Sequence, residues 1–301
     1  MPESPEVQAL VEELDARLAG RALTGVDVLE FRTTKSRSRL PASLIAATVS
    51  GVARHGKLVD LAFGDAGHLV ISLGRHGWAR WADASGGAEA AAAAATGPES
   101  AAPDAAAPAD PPPALVSLSF DDGATLELTD AGNWVSLGTW VVDRPDEVPA
   151  VAKLGPDPAD ADFSRERFEA AVAGRRKQVK AVLQEQESLA GIGNAYSDEV
   201  LHRAKVSPVV HAAALDEAEL ARLFSATTGV VREAIEARRG VPIAQLKAAK
   251  VAAMRAHGRA GEACPVCGDD LRDFSFASTT AQYCPTCQTG GELLPLKGGE
   301  G

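Results

Sequence analysis

Apolar positions near the start of the chain recur every three to four residues in EVQALVEELDARLAG, which predicts an amphipathic helix. Short β-rich runs follow: VDVLEF, KLVDLAF and HLVISLG, then LVSLSF, ATLELTD and NWVSLGTWVV. Turn residues separate them, so the pattern predicts a sandwich or barrel with the first helix packed against it. Between the two groups, residues 82–114 are rich in Ala, Pro and Gly and have no apolar period. Such a segment buries no core and is expected to be a disordered insertion within one β domain. From about residue 160 the period changes. RERFEAAVAG, KQVKAVLQEQ, AYSDEVLHRA and LDEAELARLFSATTGVVREAIEARRG all predict helices, and AHGRAGEACPVCG opens a third, small unit. The expected units are 1–145, 150–250 and 255–290.

A chain of 301 residues suits about two domains with proper cores. The N-terminus lacks the basic and apolar regions of a signal peptide, and no apolar run approaches the roughly 18 residues of a membrane span. The expectation is a soluble, cytoplasmic protein. The net charge of −11 argues against nucleic acid, but charge acts through patches. Residues 82–114 carry five acids and no base, and the remainder of the chain stands at −6. GRRKQVK at 174–180 places four cations in seven residues.

The only cysteines are Cys264, Cys267, Cys284 and Cys287, spaced C-x2-C-x16-C-x2-C. Two such knuckles suit one tetrahedral Zn2+ in a closed structural site; two disulfides are the alternative, which the cytoplasm disfavours. A second motif, GIGN, lies between two helical segments, with Asn194 opening the second. Glycines allow close backbone approach, and a helix start presents N–H groups to an anion. With Lys180 and Arg176 on the preceding basic helix, this assembly suits a DNA phosphate, although an interhelical turn with an Asn cap would look the same. The opening MPESPEVQ is also ambiguous. Proline and acids suit a first helical turn, but loss of Met1 would leave Pro2 as a free secondary amine beside Glu3 and Glu6.

MPESPEVQ, ARHGKLVDL around Lys57, KLGPDP at 153–158, LAGIGNAYSDEVL and HGRAGEACPVCG...YCPTCQ occur in that order. Together they resemble the formamidopyrimidine-DNA glycosylase/endonuclease VIII family, over all of the chain except 82–114. The resemblance implies an α+β fold: an N-terminal β-sandwich with a flanking helix, a helix-two-turn-helix domain and a C-terminal zinc finger. It also implies damaged or abasic DNA bent in the cleft between lobes, with a nucleotide flipped into the pocket. Pro2 would attack C1′, Glu3 would protonate the sugar ring oxygen, and Lys57 would donate a proton in elimination. Glu6 would support the site. A carboxyl group in a partly dehydrated pocket is expected to hold its proton nearer neutral pH.

The chain departs from the family pattern at the DNA-reading loops. SLGRHGW puts Arg75 and His76 at the tip where the family has Met, and DAGNWV puts Asn133 and Trp134 in place of an arginine and a phenylalanine wedge. Trp134 could fill the gap left by a flipped nucleotide and Arg75 could meet the orphaned base, or these residues are ordinary loop packing. A family arginine of the finger is Thr279 here. The expected activity is therefore a monomeric glycosylase/abasic lyase, mainly of the β-elimination type and acting at the nucleoid. A DNA-damage-binding protein without efficient excision is the alternative. An RNA- or protein-binding zinc ribbon would leave the N-terminal motif unexplained.

Overall fold

The computed structural model describes residues 2–82, 111–276 and 279–295. Helix α1 (Ser4–Leu18) begins with Pro5 in its first turn, where a missing N–H costs nothing. Val7, Leu10, Val11, Leu14 and Leu18 form its buried stripe. They close one end of a sandwich of two four-stranded antiparallel sheets. One sheet has the order β1 (Leu23–Val28), β6 (Ala114–Phe120), β7 (Thr125–Asp130), β5 (Gly77–Ala82). The other runs β2 (Gly51–His55), β3 (Leu58–Ala62), β4 (His68–Ser72), β8 (Gly138–Val142). Leu61, Leu69, Leu118, Leu126 and Leu128 meet α1 in one core.

Several boundaries differ from the sequence expectation. The strand expected at VDVLEF starts earlier, at Leu23, and ends at Val28, because the Glu30 carboxylate accepts from Arg32 N–H at 2.9 Å and turns the chain. In NWVSLGTWVV only Gly138–Val142 is strand. The preceding loop is wound around Asp130, as described below. Strands β2 and β5 were not foreseen; GVARH and GWARWA are too mixed in polarity to show a period of two. The insertion expected at 82–114 is shorter at both ends. Ala82 pairs with Thr125, Ala114 opens β6, and the Pro112 carbonyl accepts from Arg80 at 2.9 Å. Residues 83–110, its remainder, lie outside the described residues.

The second lobe holds α2 (Pro149–Ala152), α3 (Arg165–Val172), α4 (Val179–Gln184), α5 (Asn194–Ala204), α6 (Glu217–Arg238) and α7 (Leu246–Ala253). Phe163, Phe168, Val182, Leu201 and Leu223 form its core. Asp216 caps α6 through a reciprocal bond pair with Glu219. The segment leading to α7 returns to the first lobe. Ile243 and Leu246 enter the sandwich core, Trp78 Nε1 donates to the Ile243 carbonyl at 3.2 Å, and Ile243 N–H donates to Glu13 at 2.8 Å. This crossing stitches the lobes together and carries α7 over the start of α1. The hairpin β9 (Arg272–Phe276)–β10 (Thr279–Tyr283) and α8 (Pro285–Thr289) form the last unit. Among the described residues no helix is long and apolar enough to cross a membrane.

Candidate active site and nucleic-acid interface

Five separate segments meet at the beginning of α1. The β2–β3 hairpin turns at Gly56, with φ +56°, and presents Lys57. Arg54, on the same hairpin, holds Ser4 Oγ at 3.0 Å, the Gly56 carbonyl at 2.8 Å and Asp157 at 2.6 Å. The KLGPDP stretch thus anchors the N-terminus through Asp157. The glycine turn docks directly on the chain start, where Ser4 N–H donates to the Gly191 carbonyl at 3.0 Å. Its glycines are sterically required. Gly191 sits at φ +86°, where a side chain would run into Ser4, and a Cβ on Gly193 would lie 2.7 Å from Glu3 Cδ and 2.9 Å from Lys57 Nζ.

The anion at the start of α5 is Glu3 itself. Its carboxylate accepts from the N–H groups of Gly193, Ala195 (3.1 Å) and Tyr196 (3.3 Å). The helix start expected to receive a DNA phosphate is therefore already filled by a carboxylate of the same chain. The N-cap is Gly193, and Asn194 is the first helical residue rather than the cap. Asn194 Oδ1 accepts from Gln184 at 2.9 Å, which orients the carboxamide. Lys180, expected at a phosphate, is instead buried. Its ammonium is bound to Asp198, Ser197 Oγ (3.1 Å) and the Asn194 carbonyl (3.2 Å), so it braces the turn from below. Arg176 remains exposed and lines a groove of about 380 Å³ with Lys177, Gln184, His211 and Phe274.

The protonation state of Glu3 also reverses the expectation. Burial opposes its charge, but Lys250 at 3.0 Å, nearby Lys57 and the backbone donors hold the carboxyl below the usual carboxylate range. It is a carboxylate, not an acid poised near neutrality, because the dehydrated pocket supplies two cations and three N–H groups. Lys57 moves the other way: burial lowers its ammonium to about 8, with Glu3 resisting and Lys250 assisting. Glu6 accepts from Tyr196 Oη at 2.7 Å and Glu3 N–H at 3.2 Å, and Lys250 stands 3.1 Å away. Lys250 and Tyr196 were not singled out from the sequence. For Lys250 a signal existed: Lys247 and Lys250 stand three apart in the otherwise apolar LKAAKVAA, one face of a short helix.

Pro2 is buried and forms part of the walls of two cavities. One, of about 520 Å³, is lined by Lys57, Arg75, Lys153, Gln184 and Gln186. The other, of about 290 Å³, is lined by Glu6, His76, Trp78, Lys247 and Lys250. Above them two exposed tips abut. Asp130 organises one by accepting from Gly132 N–H (2.9 Å), Ser136 N–H and Oγ (both 2.8 Å) and Leu137 N–H (3.1 Å). Burial works against that carboxylate, and the four donors nevertheless hold it below its ordinary range. Arg75 N–H donates to Ser136 Oγ at 3.0 Å, and Ala131 N–H to the His76 carbonyl at 3.3 Å. Arg75, His76, Asn133 and Trp134 are thereby gathered as exposed side chains on a hydrogen-bonded base, with Trp134 82% accessible.

In the third unit the Sγ atoms of Cys264, Cys267, Cys284 and Cys287 all lie within 4.8 Å of one another, and none is in a disulfide. Four convergent thiols fit one tetrahedral zinc ion with no position left for catalytic water, so the site is structural. The side chain of Thr279 lies outside the described residues.

Comparisons with known proteins agree with this architecture. Residues 1–134 match the formamidopyrimidine-DNA glycosylase N-terminal domain, 154–244 its H2TH domain, and 261–290 the zinc finger found in FPG and IleRS. The formamidopyrimidine-DNA glycosylase of Mycolicibacterium smegmatis is 30% identical over 96% of this chain and 97% of its own length. That of Alkalilimnicola ehrlichii is 32% identical over 96% and 100%. An uncharacterized formamidopyrimidine-DNA glycosylase-like protein of Mycobacterium tuberculosis is 45% identical, over 48% of this chain and 91% of its own. Among solved structures, MutM (Fpg) of Thermus thermophilus is 26% identical with a TM-score of 0.75, covering 95% of this chain and 98% of its own. With a match in each of its three units and relatives aligned along nearly its whole length, the chain belongs to the formamidopyrimidine-DNA glycosylase family.

Proposed function

We propose that the protein is a DNA glycosylase and abasic-site lyase that works through Pro2. The observation that carries this reading is the placement of Pro2 on the cavity wall, next to an ionised Glu3 and across from Lys57. An α-amino group has a reference pKa of about 7.7–8.0, so Pro2 freed of Met1 needs a proton acceptor at neutral pH. The Glu3 carboxylate is that acceptor. The Pro2 nitrogen then attacks C1′ of the sugar, and Glu3 returns its proton to the ring oxygen as the C1′–O4′ bond opens. The damaged base (or the hydroxyl of an abasic site, as water) leaves C1′ with the remaining Pro2 N–H proton. The secondary amine leaves an iminium with no N–H to lose, an electron sink for removal of a C2′ proton and departure of the 3′ phosphate. Lys57, lowered to about 8, exchanges protons near neutrality and serves the elimination.

The proposed substrate is damaged or abasic DNA. Similar proteins of known structure support this: the Lactococcus lactis formamidopyrimidine-DNA glycosylase has been solved non-covalently bound to abasic-site DNA, and MutM in complex with carbocyclic 8-oxo-G containing DNA. Asn194 and Arg176 are proposed to meet phosphates, and Arg75, His76 and Trp134 to meet the gap and the orphaned base. The proposed units remain 1–145, 150–250 and 255–290, and the protein is proposed to act as a monomer. With Thr279 in place of the family arginine, the phosphate next to the lesion has no bidentate clamp from this position to assist the second, δ-elimination. The product is then mainly the 3′ unsaturated aldehyde of β-elimination. A second reading, damage binding without efficient excision, draws on Asn133, a neutral residue in the base-reading loop.

Incubation with abasic-site DNA and borohydride decides between them. A covalent adduct mapped to Pro2 is the expected result, and clean failure with Met1 shown to be removed overturns the enzymatic reading. On end-labelled DNA, a product ending mostly in 3′ phosphate would overturn the β preference alone.

A further inference from the structure

Lys250 is a cation of the site to which the reaction above gives no task. Lys250 projects from α7, the helix that the crossing at Ile243 lays over the first turn of α1. Its Nζ stands 3.0 Å from Glu3 Oε1 and 3.1 Å from Glu6 Oε2, and 4.9 Å from the centroid of the Tyr196 ring. It also lines the smaller cavity with Pro2 and Glu6. We propose that Lys250 is a positioning residue of the lyase site, bridging Glu3 and Glu6 so that Glu3 stands as the acceptor of the Pro2 proton. The inference rests on the reading of Pro2 as nucleophile.

The electrostatics require such a bridge. Glu3 and Glu6 are both buried, and Glu3 N–H donates to Glu6, so the two carboxyl groups belong to one helical turn. Two buried carboxylates this close disfavour joint ionisation unless a cation lies between them. Every neighbouring element contributes to the balance. Glu3 faces Lys57 from the β2–β3 hairpin and three N–H groups from α5, while Glu6 faces the Tyr196 hydroxyl from α5 and Arg238 of α6 at 3.9 Å. Lys250 lies within ion-pair distance of both carboxylates. Burial opposes its charge, and the two carboxylates hold its ammonium above the ordinary lysine range, so it stays protonated wherever the reaction runs. Remove it, and Glu3 takes a proton from solvent at a higher pH; a protonated Glu3 cannot accept the proton of Pro2. The loss should therefore be largest at low pH and fade as pH rises.

The test uses the full-length, zinc-loaded protein with Met1 removed. Glutamate carboxyl groups are labelled with carbon-13, Glu3 is assigned with Glu3→Gln, and its titration is followed in wild type, Lys250→Met and Lys250→Arg. The midpoint should rise by about one pH unit or more in Lys250→Met and return in Lys250→Arg. If Lys250→Met does not fold, Lys250→Gln takes its place. The acid limb of borohydride trapping should move with the midpoint. An unmoved midpoint overturns the inference, and so does a uniform loss of trapping with an unmoved acid limb. A shifted midpoint in a protein that forms no adduct supports the Lys250–Glu3 bridge while overturning the lyase reading on which its catalytic meaning rests.

Discussion

The cluster around Pro2 and the tips above it are built in opposite ways. Around Pro2, Glu3 alone is held by three N–H groups and Lys250, and Glu6 by Tyr196, the Glu3 N–H and Lys250. At the tips the backbone is held firmly by Asp130 and Ser136, yet the side chains of Arg75, His76, Asn133 and Trp134 are exposed. The proposed chemistry is thus embedded in the core's hydrogen bonding, where one change disturbs many groups. The proposed DNA reading sits on exposed side chains over a fixed loop, where residues can change with little cost in stability. The fold therefore tolerates a change at exposed Asn133 or Trp134 more readily than one at Glu3, which is buried.

The largest effect should come from blocking the amine. An uncleaved extension before Pro2 should lower adduct formation by about 10³-fold or more, since the nucleophile itself is lost. Pro2→Gly, which keeps a terminal amine, should only weaken it. Retained trapping by the extended protein would show that another amine, such as Lys57, attacks.

Gly193→Ala comes next. Its Cβ would press on Glu3 Cδ at 2.7 Å and Lys57 Nζ at 2.9 Å, so the cluster has to shift. A displacement of this size should cost about 10²-fold in single-turnover rate. A rate within twofold of wild type would mean that the cluster is softer than its bonding indicates.

Lys57→Met separates activity from stability. Lys57 is charged at pH 7 in a place that lowers its pKa from 10.5 to about 8. The unfolded chain binds that proton more tightly, so the charge costs stability below pH 8, and the cost disappears as pH rises from 8 toward 10.5. Lys57→Met should therefore lower elimination yet raise stability at pH 7 by about 1–3 kcal/mol, with the gain vanishing near pH 10. Thermal melts at the two pH values measure it, and a destabilised variant at pH 7 would contradict the assignment.

Trp134→Ala should have the smallest effect and the one most specific to the tips. With Trp134 82% accessible, melting should be unchanged within about 0.5 kcal/mol. Affinity for abasic duplex should nevertheless fall by about tenfold, the value of one lost stacking contact. Equal loss on undamaged duplex would show that Trp134 does not enter the gap.

Much of this molecule could be read from residue order alone. The stripe of α1, the long α6 and most of the strands follow from local apolar period, because burial on one face leaves a repeating mark. The cysteine spacing identifies the zinc site, since four thiolates must converge and two short knuckles supply them pairwise. The motif order identifies the family. Other features have no local mark. GWARWA is a strand because β7 pairs with it, and Lys180 is buried because Asp198 faces it. Lys250 joins Glu3 and Glu6 from 247 and 244 residues away, through a chain crossing that no window of sequence reveals. The same holds for charge. Burial by itself would keep Glu3 protonated, and only the assembled site, with Lys250, Lys57 and the start of α5 around it, makes it a carboxylate. Residue type and spacing therefore determined which chemistry the chain carries, whereas the tertiary structure decided protonation states and partners, because electrostatic energies depend on distance through space rather than along the chain.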